Sequence, residues 1–450
     1  MKKEKVIEPY KYSQNLYIVE AAVEYFIAIL IGSTYLAKMT TSIGMSDGLT
    51  GVVTSFVSLG FGFQIFALLL VGKSRVKRFC TLMHLINQLA FSFLYIVPII
   101  DIPSNAKTVI FVLLLLTGEI IQNVIYAPKL TWLMGLVDDK KRGIFTAKKE
   151  MVSLLLGVVI SLTMGRIIDN YEARGDLKTA FLLCGITMIV LTLVHTFNLI
   201  AIKEKGKTEQ NHPPVLKMLK GSVMNKSLWK LVPMFALWQI ATYITTPFYG
   251  TYQLNEGDLG FSMTFVAVLS LVYAVARSVF SIPIGKFADK YSFVNSLTLS
   301  YGLMVIAYGA NIFFGKPFYI IYGVLQAIAM AGINSGTVNL IYDFVPHEHR
   351  TGTLAIKNTL VGFIGFFSTI AVTPLFNKIQ GDGNKFLFVE GVRAQQVLSF
   401  FALLLVIAVL IYLNTVVRAM RRQKLQIEKA TIYGSDHIEI KEKSKNESHG

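Results

Sequence analysis

Twelve long apolar runs dominate this 450-residue chain. They lie near residues 16–38, 48–71, 79–100, 107–128, 148–168, 180–202, 229–250, 262–284, 293–314, 317–340, 353–376 and 395–417. A helix that crosses a bilayer needs about 20 mostly apolar residues, and each run meets that length. Composition agrees. Charged residues are 16% of the chain and hydrophobic ones 53%, whereas a soluble domain carries about 25% charge. Too little charge remains to coat a water-facing surface of this size. A membrane β-barrel would alternate polarity in segments of about ten residues. Leu113–Leu116 and Leu403–Leu405 do not alternate. The runs carry scattered small residues such as Gly51, Ser55, Ser58, Gly60 and Gly62, which let helices approach closely in lipid. The expected fold is an all-α integral membrane protein with twelve transmembrane helices.

The net charge of +16 does not indicate nucleic acid, because the basic residues sit in short segments between apolar runs. The side bearing both termini holds 32 Lys and Arg, and the other side holds nine. That bias predicts cytoplasmic termini in a cell (cytoplasmic) membrane protein. The first fifteen residues are polar and basic, and no cleavable signal is expected there. Cys80 and Cys184 have no metal-ligand spacing and cannot form a disulfide framework.

The longest polar interruption, roughly Lys203–Lys230, splits the spans six and six. The expected organisation is a six-helix bundle over 1–202, a cytoplasmic linker over 203–228, a second bundle over 229–417 and a cytoplasmic tail over 418–450. A surface helix is expected from Val215 to Met224. The halves echo each other. Val137–Arg142 resembles Val345–Arg350, and Ala147 and Lys149 align with Ala355 and Lys357, all at an offset of 208. Asp169 then meets Asn377. A weaker echo is Gly72-Lys73 against Gly285-Lys286. Parallel repeats of this kind are a transporter architecture.

After span 8 stands Gly285-Lys-Phe-Ala-Asp289-Lys290. With the six-plus-six plan and the basic central loop, it resembles the loop signature of the major facilitator superfamily, Gly-x-x-x-Asp-Arg/Lys. The resemblance implies two pseudo-symmetric bundles, alternating access, and gating roles for Gly285, Asp289 and Lys290, with the Gly allowing close helix contact. The first-half copy near Gly72–Arg78 keeps basic residues but has no Asp. Drug-antiporter and sugar-porter subsignatures are absent. The resemblance also implies a central cavity lined by spans 1, 4, 7 and 10.

Ionisable groups inside a span are costly and usually face a cavity or a partner. Glu119 lies near the middle of span 4, and Gln122 and Asn123 follow on the same face. Glu119 can serve a substrate or a coupling proton, or hold an interhelical hydrogen bond. Glu20 and Glu24 are one turn apart in span 1. Glu20 is expected to be solvated. Glu24 can share a proton, or pair with a span-5 or span-11 lysine. Lys149 and Lys357 can line a vestibule or anchor the cytoplasmic ends. Arg277 can face the cavity, or snorkel or pair with a carboxylate. Trp238, Gln239 and Tyr243 in span 7, and Gln326 and Asn334 in span 10, complete the substrate-binding set. His84, Asn87, Gln88, His195 and Asn198 are read as structural.

No P-loop, nucleophile elbow or zinc-protease motif occurs. His347 and His349 are read as solvated, so no metal and no cofactor are expected. The chain is read as a non-enzyme: a monomeric secondary transporter embedded in lipid, moving a small-molecule substrate with H+ as the coupling ion. Its rivals are efflux of amphipathic compounds and a non-transporting membrane sensor.

Overall fold

The computed structural model describes residues 10–69, 76–138, 142–204, 215–346 and 349–427. Helices stand where all twelve spans are expected. Span 1 is a bent pair, Lys11–Leu30 and Ser33–Ser42. Span 2 covers Asp47–Ala67 in broken helical segments. Spans 3 to 6 are Val76–Leu94, Ser104–Met134, Arg142–Ala173 and Leu177–Ala201. A short helix, Val215–Val223, leads to span 7, which is Lys226–Tyr243 continued by Thr246–Phe248 and Tyr249–Leu254. Spans 8 to 11 are Met263–Tyr291, Phe293–Asn311, Lys316–Phe344 and Arg350–Gly381. Span 12 begins at Ala394–Tyr412 and continues through a π-turn at Leu413–Val417.

Among the described residues, nine helices are long and apolar enough to cross a membrane, or ten if the bent first pair counts as one span. The other two are spans 3 and 7. Span 3 carries Lys77, Arg78, His84, Asn87 and Gln88, and span 7 starts with Lys226 and Lys230. Span 3 contributes His84 and Gln88 to a buried polar cluster.

Spans 1 and 7 both break. Span 1 bends by 44° around Ile31–Gly32. Span 7 stops at Ile244 and resumes as a tight turn containing Pro247. A break frees backbone carbonyls, which in a bilayer must find donors inside the protein. They do. The Tyr95 hydroxyl donates to the Leu30 carbonyl at 2.5 Å. Thr369 Oγ1 donates to the Tyr243 carbonyl at 2.7 Å, and Gln395 Nε2 to that of Thr245 at 3.2 Å.

One apolar core runs from Leu231 to Val417 within the second six spans. Another runs from Val23 to Met188 in the first six and takes in Met263 from span 8. A two-residue hairpin, Lys385–Phe386 paired with Val389–Glu390, joins spans 11 and 12. It lies outside the spans, and the hydropathy pattern carries no signal for it.

Candidate functional site

The face away from the termini, called distal here, is sealed by contacts between the two sets of six spans. Asp169, at the end of span 5, accepts backbone N–H bonds from Met263 and Thr264, both at 2.8 Å. These are orphan donors at the start of span 8, where a helix dipole favours negative charge. Its repeat partner Asn377 lies where a side chain on Gly48 would stand, at the start of span 2. Gly51 leaves room in the same way for Phe248, which stacks on Phe376 with ring centroids 4.3 Å apart. Thr34 donates to Gln253 at 2.7 Å, and Gln380 donates to Asp47 at 2.9 Å.

Away from that seal the halves separate along one side. A cavity of about 810 Å³ lies between spans 1, 5 and 8. Its walls are largely apolar, with the Glu150 carboxylate and hydroxyls that include those of Tyr25, Ser33, Ser161, Ser270 and Ser278. The stretch of span 8 from Arg277 to Pro283 is exposed at every residue. Spans 2 and 11 stay joined on the other side, where Asn358 donates to Gln64 at 2.7 Å. The halves are joined distally; on the side of the termini they part along span 8 and stay joined between spans 2 and 11.

A second group of polar residues lies where spans 2, 4, 7 and 11 meet. Ser58 Oγ donates to the Gly362 carbonyl at 2.9 Å and accepts from Gln239 Nε2 at 3.3 Å. The Tyr243 hydroxyl hydrogen-bonds Ser58 and lies within electrostatic reach of Glu119. Glu119 and Asn123 are buried. Asn123 Nδ2 donates to the Glu119 carbonyl oxygen at 2.9 Å, while the Glu119 carboxyl makes no hydrogen bond or ion pair among the described residues.

The remaining expected substrate residues are dispersed. Trp238 packs edge-to-face on Tyr301 of span 9, inside the second core rather than a cavity. Gln122 and Gln326 are half-buried, and Asn334 is exposed. Their side chains share no hydrogen bond with the Glu119 group. A side chain at Gly285 would meet nothing within 4 Å, so the close helix contact expected of it is not made in this conformation. Asp289 and Lys290 are exposed, and Lys290 lies over the Tyr291 ring at 5.1 Å. Asp289 makes no ion pair among the described residues.

The largest departure is inside the first six spans. Glu20 is not solvated but fully buried. Lys129 of span 4 bridges it at 2.9 Å and Glu24 at 2.6 Å. Glu24's partner is therefore on span 4, not on span 5 or 11. His195 Nε2 of span 6 lies 2.9 Å from Glu20 Oε1, and His84 Nε2 of span 3 lies 3.6 Å from Glu24 Oε1. Gln88 contacts His195 Nδ1. These histidines were expected to be ordinary structural residues, yet they complete a buried charged cluster. The readable signal was the low hydropathy of span 3.

Lys149 and Lys357 each find an aromatic face, Tyr17 at 5.2 Å and Phe235 at 5.4 Å. Gly157 and Gly365, also 208 apart, pack on Tyr25 and Tyr243. Both aromatic pairs are 218 apart. Spans 1 and 7 thus correspond, with Trp238 at the place of Glu20 and Thr242 at that of Glu24. Arg277 is exposed and lies within electrostatic reach of the cavity-lining Tyr25 without itself lining the cavity. His349 is not solvated: its ring packs against Gly221, and its carbonyl accepts from Ser222 at 3.1 Å. Gly72-Lys73, His347, and the 205–214 and 428–450 parts of the linker and tail lie outside the described residues.

The described spans form a membrane-embedded helical bundle with a cavity between spans 1, 5 and 8 and a sealed distal face. The family model described as Major Facilitator Superfamily matches residues 248–439. No curated protein sequence matches the chain. Solved structures share the fold across nearly the whole chain. A variant of the nucleoside transporter NupG superposes with a TM-score of 0.67 at 10% identity, covering 90% of this chain and 99% of its own. The POT family transporter PepTSo gives 0.67 at 13%, covering 92% and 99%. A D-xylose-proton symporter gives 0.60 at 13%, covering 89% and 97%. The family match falls in the second half of the chain, and the solved structures share the fold over nearly all of it.

Proposed function

We propose that the protein is a secondary transporter that moves a small solute across the cytoplasmic membrane by rocking its two bundles, 1–202 and 229–417, about a central site. The observation that carries this reading is the sealed distal face beside a cavity that parts span 8 from spans 1 and 5. Such a state is one end of an alternating-access cycle. In this proposal both termini are cytoplasmic, so the cavity faces inward.

Glu119 is the proposed proton-coupling group, with Gln239, Tyr243 and Asn123 beside it as substrate contacts. A carboxyl with no ion-pair partner, set where spans of both halves meet, can load and release a proton as they move. The test is transport in proteoliposomes with an imposed pH gradient. Glu119→Gln should abolish concentrative uptake and spare exchange. Unchanged pH-dependent accumulation would overturn the coupling role.

The cavity wall favours a second reading of the substrate. An apolar lining with scattered hydroxyls and one carboxylate, Glu150, suits an amphipathic compound, a cationic one above all, which would be exported. A thermal-shift screen of polar solutes and lipophilic cations separates the two, because a ligand of the folded state raises the melting temperature.

A further inference from the structure

Glu20, His84 and His195 come from spans 1, 3 and 6, and each is almost fully buried. One ligand atom from each lies within 4.8 Å of the others. We propose that these three side chains form a resident binding site for a first-row divalent transition metal, independent of the transport reaction.

Three observations carry the proposal. The first is the donor set, two imidazoles and one carboxylate, which suits such ions. The second is an unused donor: Glu20 Oε2 is buried and has no hydrogen-bond partner. Lys129 and His195 both address the other oxygen, Oε1. Lys129 stands closer to Glu24 than to Glu20, so the Lys129–Glu24 pair is internally neutral and leaves Glu20 its negative charge for a cation.

The third observation concerns Gln88. Its amide contacts His195 Nδ1, and its Oε1 is buried without a partner. The two ends of a glutamine amide are assigned from their surroundings. Turned over, Oε1 accepts a hydrogen bond from His195 Nδ1–H and gains its missing partner. The Nε2 lone pair of His195 then faces Glu20, and a cation between them makes that meeting favourable. A group that fixes the tautomer of a ligating histidine in this way is the usual outer shell of a metal site. His195 Nε2 and Glu20 Oε1 are 2.9 Å apart. Tetrahedral ligands sit roughly 3.3 Å apart at zinc bond lengths, so this pair opens by a few tenths of an ångström, while the widest ligand separation, 4.8 Å, closes as the ion is bound. The three ligands are too enclosed to hand an ion to the cavity, which marks the ion as resident rather than cargo.

The test uses the full chain in detergent, stripped with a chelator. Co2+ is titrated and followed by its visible d–d absorption, then displaced with Zn2+. One Co2+ per chain with a tetrahedral-type spectrum, displaced by Zn2+, is expected, and Zn2+ should raise the melting temperature. His84→Gln with His195→Gln should weaken Zn2+ binding at least about a hundredfold. Gln88→Leu, which touches no ligand position, should weaken it roughly tenfold and guards against loss of folding in the double variant. No stoichiometric Co2+ spectrum in the wild type, or full binding by the folded double variant, would overturn the site and leave an ion-pair network.

Discussion

Asp169 and Asn377 stand 208 positions apart, and each reaches across to the opening turn of a span in the other half. Asp169 takes two backbone N–H groups of span 8 at 2.8 Å. Asn377 fills the space that Gly48 leaves at the start of span 2. The distal seal therefore uses equivalent positions in the two halves, with hydrogen bonds at Asp169 and close packing at Asn377.

Asp169→Ala should loosen that seal. Hydrogen bonds to a charged group contribute about 1.5–3 kcal/mol, so the ratio of sealed to open states should fall roughly ten- to hundredfold. A cysteine at buried Thr34, in a background lacking Cys80 and Cys184, reports the change by its rate of maleimide labelling. An unaltered labelling rate would show that the contact does not hold the seal.

Gly51→Leu should act at a different point of the same surface. The new side chain would overlap the Phe248 ring, which is fully buried on Phe376. Overpacking costs about 1–3 kcal/mol, and here the halves can relieve it by parting. The Thr34→Cys reporter should label faster while the melting temperature drops by only a few degrees. A large loss of folded protein with no gain in labelling would mean that the strain falls within one half.

Lys129→Met should be strongly destabilising, because it strands Glu20 and Glu24 without their shared cation. Removing one partner of a buried ion pair costs about 3–5 kcal/mol. Adding Glu20→Gln and Glu24→Gln should recover a good part of the loss. Non-additivity in melting temperature across the series is the measurement, and simple additivity would argue that the three groups act separately.

Asp258 lies in the distal loop between spans 7 and 8, beside Arg393 at 3.5 Å. Burial lifts its carboxyl to about 6, against the pull of Arg393 and with help from Asp47. The folded state then holds a proton that the unfolded chain gives up at lower pH, so this group's contribution to stability falls as pH rises from about 4 through 6. Asp258→Asn should flatten the melting temperature over that range. An identical slope in the variant would remove Asp258 from the account.

Much of this molecule is legible in its sequence. Apolar length and the Lys and Arg bias mark the spans, and the Val137 and Val345 stretches mark the repeat. Glu119 and Glu24 stand out because a carboxylate is rare in an apolar run. Other features depend on tertiary placement. Lys129 meets Glu20 only because spans 1 and 4 pack side by side. His84 and His195 look like ordinary polar residues until both turn towards span 1. Trp238 shares a helix with Gln239 and Tyr243, but its indole points to Tyr301, and a helical period alone does not say which face meets the other half. The breaks in spans 1 and 7 are similarly hidden, since Gly32 and Pro247 matter only once Tyr95 and Thr369 supply the missing donors.

The correspondence of Glu20 with Trp238 and of Glu24 with Thr242 gives the two halves different characters. Equivalent positions are ionic in one and aromatic or hydroxylic in the other. Exchanging them would not give a working mirror image. A protein assembled from two second halves would have the framework and the hinges of this one but no buried electrical load, and one assembled from two first halves would carry that load twice. The duplication gives the protein its structural symmetry, and the divergence at these two positions gives it polarity.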